Sequence, residues 1–304
     1  MKLKQTAICV LLLAATMQGQ AKEGPDQYPN GAESLMSGAL PPPGDYFLNY
    51  LGHYSGTLVN NNGDDVIVPA PGGNVPSQKV TVDADFDAFR FVHVTPWTLF
   101  GASVAFQAIV PVVHQNLDIG PLGGSASRTG LGDISFDPLI LGWHWQNLHV
   151  TSGLDIYVPS GAYDRHDPRR QIGTNYYTFE PVTAVTYRAD SGFEASIKMM
   201  YDINERNDDT HYKSGQELHA DYFLGWHAGA WSYGAGGYFA HQVEDDKLAN
   251  LKIDDSRGRV WSIGPDVQYT DSKGHQFILQ WQHETGAKNR FEGDKLWLRF
   301  VTRF

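Results

Sequence analysis

The chain ends Asp294-Lys295-Leu296-Trp297-Leu298-Arg299-Phe300-Val301-Thr302-Arg303-Phe304. Leu296, Leu298, Phe300 and Phe304 share one face, with Thr302 among them. Lys295, Arg299 and Arg303 share the other. A period of two with one apolar and one polar face marks a β-strand between two different surroundings. The same period runs back through the chain. Val80, Val82, Ala84, Phe86 and Ala88 alternate with Thr81, Asp83, Asp85 and Asp87. Leu218, Ala220, Tyr222, Leu224 and Trp226 alternate with Glu217, His219 and Asp221.

A soluble sandwich would alternate in the same way, so the connections have to decide. About twelve strands are predicted, starting near Tyr46, Lys79, Thr98, Leu131, Leu148, Asn175, Gly192, Lys213, Trp231, Gly258, Gly274 and Asp294. Long links (Asn60 to Ser77, Gly120 to Gly130, Gly161 to Thr174, Asp245 to Ser256) alternate with tight ones at Thr95-Pro96-Trp97, Gln146-Asn147, Asp190-Ser191 and Asp271-Ser272-Lys273. Even strand number and short turns opposite long loops are the habit of a transmembrane antiparallel up-and-down β-barrel. Trp97, Trp143, Trp145, Trp226 and Trp231 lie close to the predicted tight turns, as an interfacial girdle requires. Both termini then fall in the periplasm.

The start of the chain agrees. Lys2 and Lys4, the short apolar run Ala7 to Ala15, and Gly19-Gln20-Ala21 read as an export signal over 1–21. Cys9, the one cysteine, lies inside it, so the mature chain has no thiol for a disulfide or metal site. Charged residues are 19% and hydrophobic ones 41%, which excludes a disordered chain. A formal charge of −11 argues against nucleic acid as a partner. Residues 22–45 form a periplasmic N-terminal segment ahead of a barrel over 46–304. The stiff Pro41-Pro42-Pro43-Gly44 could turn that segment back into the lumen, with Leu35, Met36 and Leu40 against Phe223, or leave it as a tail. The aromatic end, Phe300 and Phe304, resembles the signal read by the barrel-insertion machinery.

Several motifs recur in a fixed order: Tyr28-Pro29-Asn30-Gly31-Ala32-Glu33, Leu40-Pro41-Pro42-Pro43-Gly44, Gly130-Leu131-Gly132-Asp133, Trp143-His144, Val158-Pro159-Ser160-Gly161-Ala162-Tyr163-Asp164, Ser214-Gly215-Gln216-Glu217 and Ile263-Gly264-Pro265. In order and spacing they resemble the bacterial outer-membrane transporter family of MetA-pathway phenol-degradation proteins, over nearly all of the mature chain. The resemblance implies an outer-membrane barrel of a Gram-negative bacterium that handles hydrophobic or aromatic compounds. It does not imply an enzyme.

The polar phase is read as facing the lumen. It holds Asp83, Asp85, Asp87, Asp155, Glu217, His219 and Asp221, with Asp133, Glu194, Asp202 and Glu284, against few cations such as Lys198. Phe89, Phe91, Tyr157 and Phe223 share that phase and could form a greasy path or pack a plug. An acidic lining would favour cations and neutral solutes. The alternative is an interior whose charges are paired across strands. Pro138 permits a bulge, so the faces of Leu139, Leu141, Trp143 and Trp145 stay unassigned. His93, His149, His219 and His227 have no HExxH-like spacing, so no metal or cofactor is expected. No GxSxG elbow or His-x-Ser pair points to catalysis. The loop Asp164 to Arg170 could touch lipopolysaccharide phosphates through arginine. The expected function is passive diffusion of small hydrophobic or aromatic compounds, with outer-membrane lipid and lipopolysaccharide as surroundings. The alternative is a structural or lipid-interacting barrel without transport.

Overall fold

In the computed structural model, residues 22–70, 76–121 and 123–304 are described; residues 1–21, expected to be an export signal, lie outside them. Twelve strands form one closed antiparallel barrel. They are β1 (Gly44–Leu58), β2 (Thr81–Leu99), β3 (Ala102–Asp118), β4 (Ser125–Leu131, resuming after a break as Ile134–His144), β5 (Leu148–Val158) and β6 (Thr178–Arg188). Then follow β7 (Phe193–Asn204), β8 (Glu217–Ala228), β9 (Trp231–Gln242), β10 (Arg259–Thr270), β11 (Gln276–Lys288) and β12 (Phe291–Arg303). Each strand pairs with the next. β12 closes on β1 in a register running from Tyr46↔Arg303 to Leu58↔Phe291. Closure pairs every strand edge, the one way a sheet can sit in lipid. Among the described residues no helix is long and apolar enough to cross a membrane.

The burial pattern is inverted relative to a soluble protein. On β8, Leu218, Leu224 and Trp226 are 40–56% exposed on the outside, while Glu217, His219, Asp221 and Phe223 are at most 1% exposed within. Lipid is the outer solvent, so apolar side chains go outward there. Trp97, Trp145, Trp226 and Trp231 are exposed near the short turns. Phe193 packs edge-on against Trp226 at 5.2 Å, and Trp231 lies 4.9 Å from Tyr269. Trp143 donates its indole N–H to the Phe100 carbonyl (3.2 Å).

One turn is displaced from its expected position. β2 runs on through Thr95-Pro96-Trp97 as a bulge, where register shifts between Val94 and Thr98. The turn is Phe100-Gly101, both at positive φ (51° and 75°), the primed conformation that matches strand twist. Pro96, lacking an N–H, sits at the bulge. Register also shifts on both sides of Pro138, between Ala105 and Gln107 on β3 and between Phe136 and Leu141 on β4.

Traced back from β1, the N-terminal segment runs inside the barrel from the short-turn end towards the long loops, so Lys22 lies at the long-loop end and not at the periplasmic short-turn end expected of both termini. The Gly38 amide donates to Thr186 Oγ1 (3.0 Å) near the start of that path. Tyr28 and Asn30 lie midway, against β8. The Lys22 amide reaches Asp246 Oδ2 (3.2 Å) in the 243–258 loop.

Candidate functional site

The lumen has two unlike halves. Strands β7, β8, β11 and β12 present charged and amide side chains, and the N-terminal segment supplies their partners. Asp221 accepts the Tyr28 hydroxyl (2.6 Å), the Gly31 amide (2.8 Å) and the Glu33 amide (3.0 Å). In return Lys295 donates to the Asn30 carbonyl (2.8 Å), Arg299 to the Ala32 carbonyl (2.9 Å) and Gln282 to the Gly31 carbonyl (3.0 Å). Gly31 lies so close to the Gln282 amide, at φ +88°, that a Cβ would collide with it. Glu33 is bound by Arg90, by Tyr50 and by Arg299 (3.2 Å). Lys22 Nζ donates to Glu217 (3.0 Å) and Asp26 (3.2 Å), and Arg290 bridges the same two carboxylates. A charge buried without a partner is costly, so segment and wall neutralise each other.

The other half is walled mainly by apolar side chains of β2 and β3. A cavity of about 310 Å³ lies between the segment and strands β2 and β3. Val82, Ala84, Phe86 and Ala88 of β2 face it, with Ile109, Pro111, Val113 and Leu117 of β3 and Trp297 of β12. Pro25, Tyr28, Pro29 and Ala32 close it from the segment side. Phe86 meets Trp297 edge-on at 4.6 Å. Charged groups border it as well: Lys198, Glu284, Arg290 and Lys295 on the segment side, and a chain from Arg90 to Gln107 (2.8 Å) and from Gln107 to Asp155 (2.7 Å).

Residues 57–300 match the family model described as "Putative MetA-pathway of phenol degradation". The chain belongs to this family. A crystal structure of an outer membrane channel from Pseudomonas putida F1 aligns with a TM-score of 0.74 at 16% identity, covering 90% of this chain and 99% of that one. The beta domain of the Bordetella autotransporter BrkA aligns at 0.50 with 9% identity, covering 86% and 100%. At these identities the likeness is one of fold, that of an outer-membrane β-barrel. No curated protein matches the sequence.

In this family member the candidate lining residues divide. Asp155, Tyr157, Glu217, His219, Asp221 and Phe223 face inward and are buried. Asp155 and Tyr157 border the cavity. Glu217, His219 and Asp221 are occupied by the segment. Phe223 packs with Leu35 and Ile278. Leu40 packs instead beside Tyr46 and Val92.

Asp83, Asp85, Asp87, Phe89 and Phe91 do not line the lumen. They lie on the outer face, opposite in phase to Val82, Ala84, Phe86, Ala88 and Arg90. His53 bonds Asp85 (2.7 Å) and Asn49 bonds Asp87 (2.5 Å) on that face. The reason is length. β2 has 19 residues, whereas about 9–11 cross a bilayer. Its aspartates fall in the half nearest the long loops, where an outward carboxylate need not enter hydrocarbon. His93 is likewise outward, paired with Asp45 (2.6 Å). The overlooked signal was Arg90. It shares the apolar phase, and an arginine facing lipid at mid-depth costs about 2–4 kcal/mol. Its phase therefore had to be the inner one.

Phe300 lies on the outer face against Phe277 (5.2 Å), and Phe304 is 74% exposed beside the short turns. In the 159–177 loop, Arg169 bonds Asp167 (2.7 Å) and the Gly123 carbonyl, so it is engaged within the loops. That hydrogen bond holds the Asp167 carboxyl below the usual carboxylate range.

Proposed function

We propose that the protein is an outer-membrane channel for small hydrophobic or aromatic compounds, which cross by passive diffusion along the apolar half of the lumen. The supporting observation is the cavity of about 310 Å³ walled by β2, β3 and Trp297. Its volume suits one small aromatic molecule, and its lining offers mostly apolar contact. The N-terminal segment fills the polar half and serves as a partial plug that limits leakage of polar solutes.

Phospholipid vesicles are a poor assay, because small aromatics cross them unaided. Whole cells retain the lipopolysaccharide barrier. Uptake of radiolabelled phenol and toluene should be slower in cells lacking the protein and restored by the parent gene. Phe86→Asp, which places a charge in the cavity, should restore outer-membrane protein but not uptake. Equal uptake with and without the protein would sink this reading in favour of a barrel without transport.

A further inference from the structure

Three neighbouring strands bring one ligand-type side chain each to a single point in the lumen wall: Glu180 on β6, Asp202 on β7 and His219 on β8. All three are buried, at most 1% exposed. His219 Nε2 lies 3.3 Å from Glu180 Oε2 and 3.5 Å from Asp202 Oδ1. None of these three atoms makes a hydrogen bond with a described residue. One ligand atom from each group falls within 4.8 Å of the others.

The remaining polar atom of each group is occupied. The Tyr157 hydroxyl donates to Glu180 Oε1 (3.4 Å), and Lys22 Nζ stands 3.6 Å from Asp202 Oδ2. His219 Nδ1 is 2.8 Å from Asn30 Oδ1. Asn30 gives its amide N–H to Asp26 (3.3 Å), which turns its oxygen towards the imidazole. An amide oxygen only accepts, so Nδ1 carries the proton. Nε2 then aims at two carboxylates, which a second proton on the ring or a bound ion between them would balance.

A proton on Nε2 would draw a carboxylate to about 2.7–2.9 Å. Both separations are longer. They fit the edge of a tetrahedron around an ion with bonds of about 2.0–2.1 Å, an edge of roughly 3.3–3.4 Å. Charge points the same way. In the linked network, Asp26, Glu180, Asp202 and Glu217 have ion pairs to Lys22 and Arg290, and Glu180 and Asp202 also face the imidazole, where a bound ion would complete the balance.

We propose that Glu180, Asp202 and His219 bind one divalent transition-metal ion, zinc being the best match to one nitrogen and two oxygen donors at tetrahedral spacing. Because Asn30 belongs to the N-terminal segment and orients the imidazole, metal occupancy and the seating of that segment reinforce each other. The site stands apart from the apolar cavity and does not depend on what the channel carries.

The test uses full-length protein purified from outer membranes, stripped with chelator and titrated with Co²⁺. One equivalent should bind with the visible absorption of a four-coordinate ion, and Zn²⁺ should displace it. Glu180→Gln and His219→Gln, in protein that still migrates as folded barrel without heating, should abolish those bands. Asn30→Ala leaves all three ligands and every strand intact, and should weaken affinity about tenfold or more. Should the wall variants not fold, X-ray absorption on the zinc-loaded parent decides the matter. A single imidazole in the shell supports the site. Two or more would place the ion on surface histidines and overturn it. Folded parent protein that binds no Co²⁺, or bands that survive both wall substitutions, overturn it equally.

Discussion

Asp221 has little left to offer a permeating ion, since its two oxygens already accept three hydrogen bonds from the N-terminal segment. Glu194 is held in the same way by His227, by Ser196 (2.6 Å) and by the Met36 amide (2.6 Å). At these carboxylates the acidic lumen is thus a docking surface for the segment. Two expectations follow at this scale. Changing Asp83, Asp85 and Asp87 together to Asn should leave the reversal potential of single channels unchanged even at low salt, because these groups face outward. A loss of cation preference would return them to the ion path. Glu33→Gln should have the larger effect. It removes the anion between Arg90 and Arg299, and breaking a buried pair from one side costs about 3–5 kcal/mol. Most of that cost falls on the seating of the segment. The segment should become cleavable by added protease in the folded barrel. Full resistance equal to the parent would show that Glu33 does not anchor it.

Among the elements, the N-terminal segment and β12 make separate claims. Deleting Lys22 to Leu40, with Pro41-Pro42-Pro43-Gly44 kept, should raise single-channel conductance. A folded deletion variant with the parent's conductance would rule the plug out. For β12, replacing Phe300 and Phe304 with Asp should lower the fraction of heat-modifiable, folded protein. Phe277→Asp is the control, because Phe277 shares the same outer patch through its contact with Phe300. Equal loss in both would mean that the terminal strand contributes burial and no special insertion signal.

At the level of the whole molecule, fractionation should recover a mature protein cut near Ala21 in the outer membrane; recovery in the soluble periplasm would end the membrane reading. The sequence by itself determined the barrel: strand number, strand order and the end that carries the loops. Those follow from the period of two and from the lengths of links, which are properties of near neighbours along the chain. It did not determine which face of each strand points inward. Alternation is unchanged when the two faces are exchanged, and this barrel encloses both a polar and an apolar half. On β8 the polar face turns in against the N-terminal segment. On β2 the apolar face turns in against the cavity, and only Arg90 marked it. Nor could spacing reveal Glu180, Asp202 and His219, because their convergence depends on three strands in register. Asn30 meets His219 across 189 residues. Contacts of that kind exist only once the sheet has closed and the N-terminal segment lies within it.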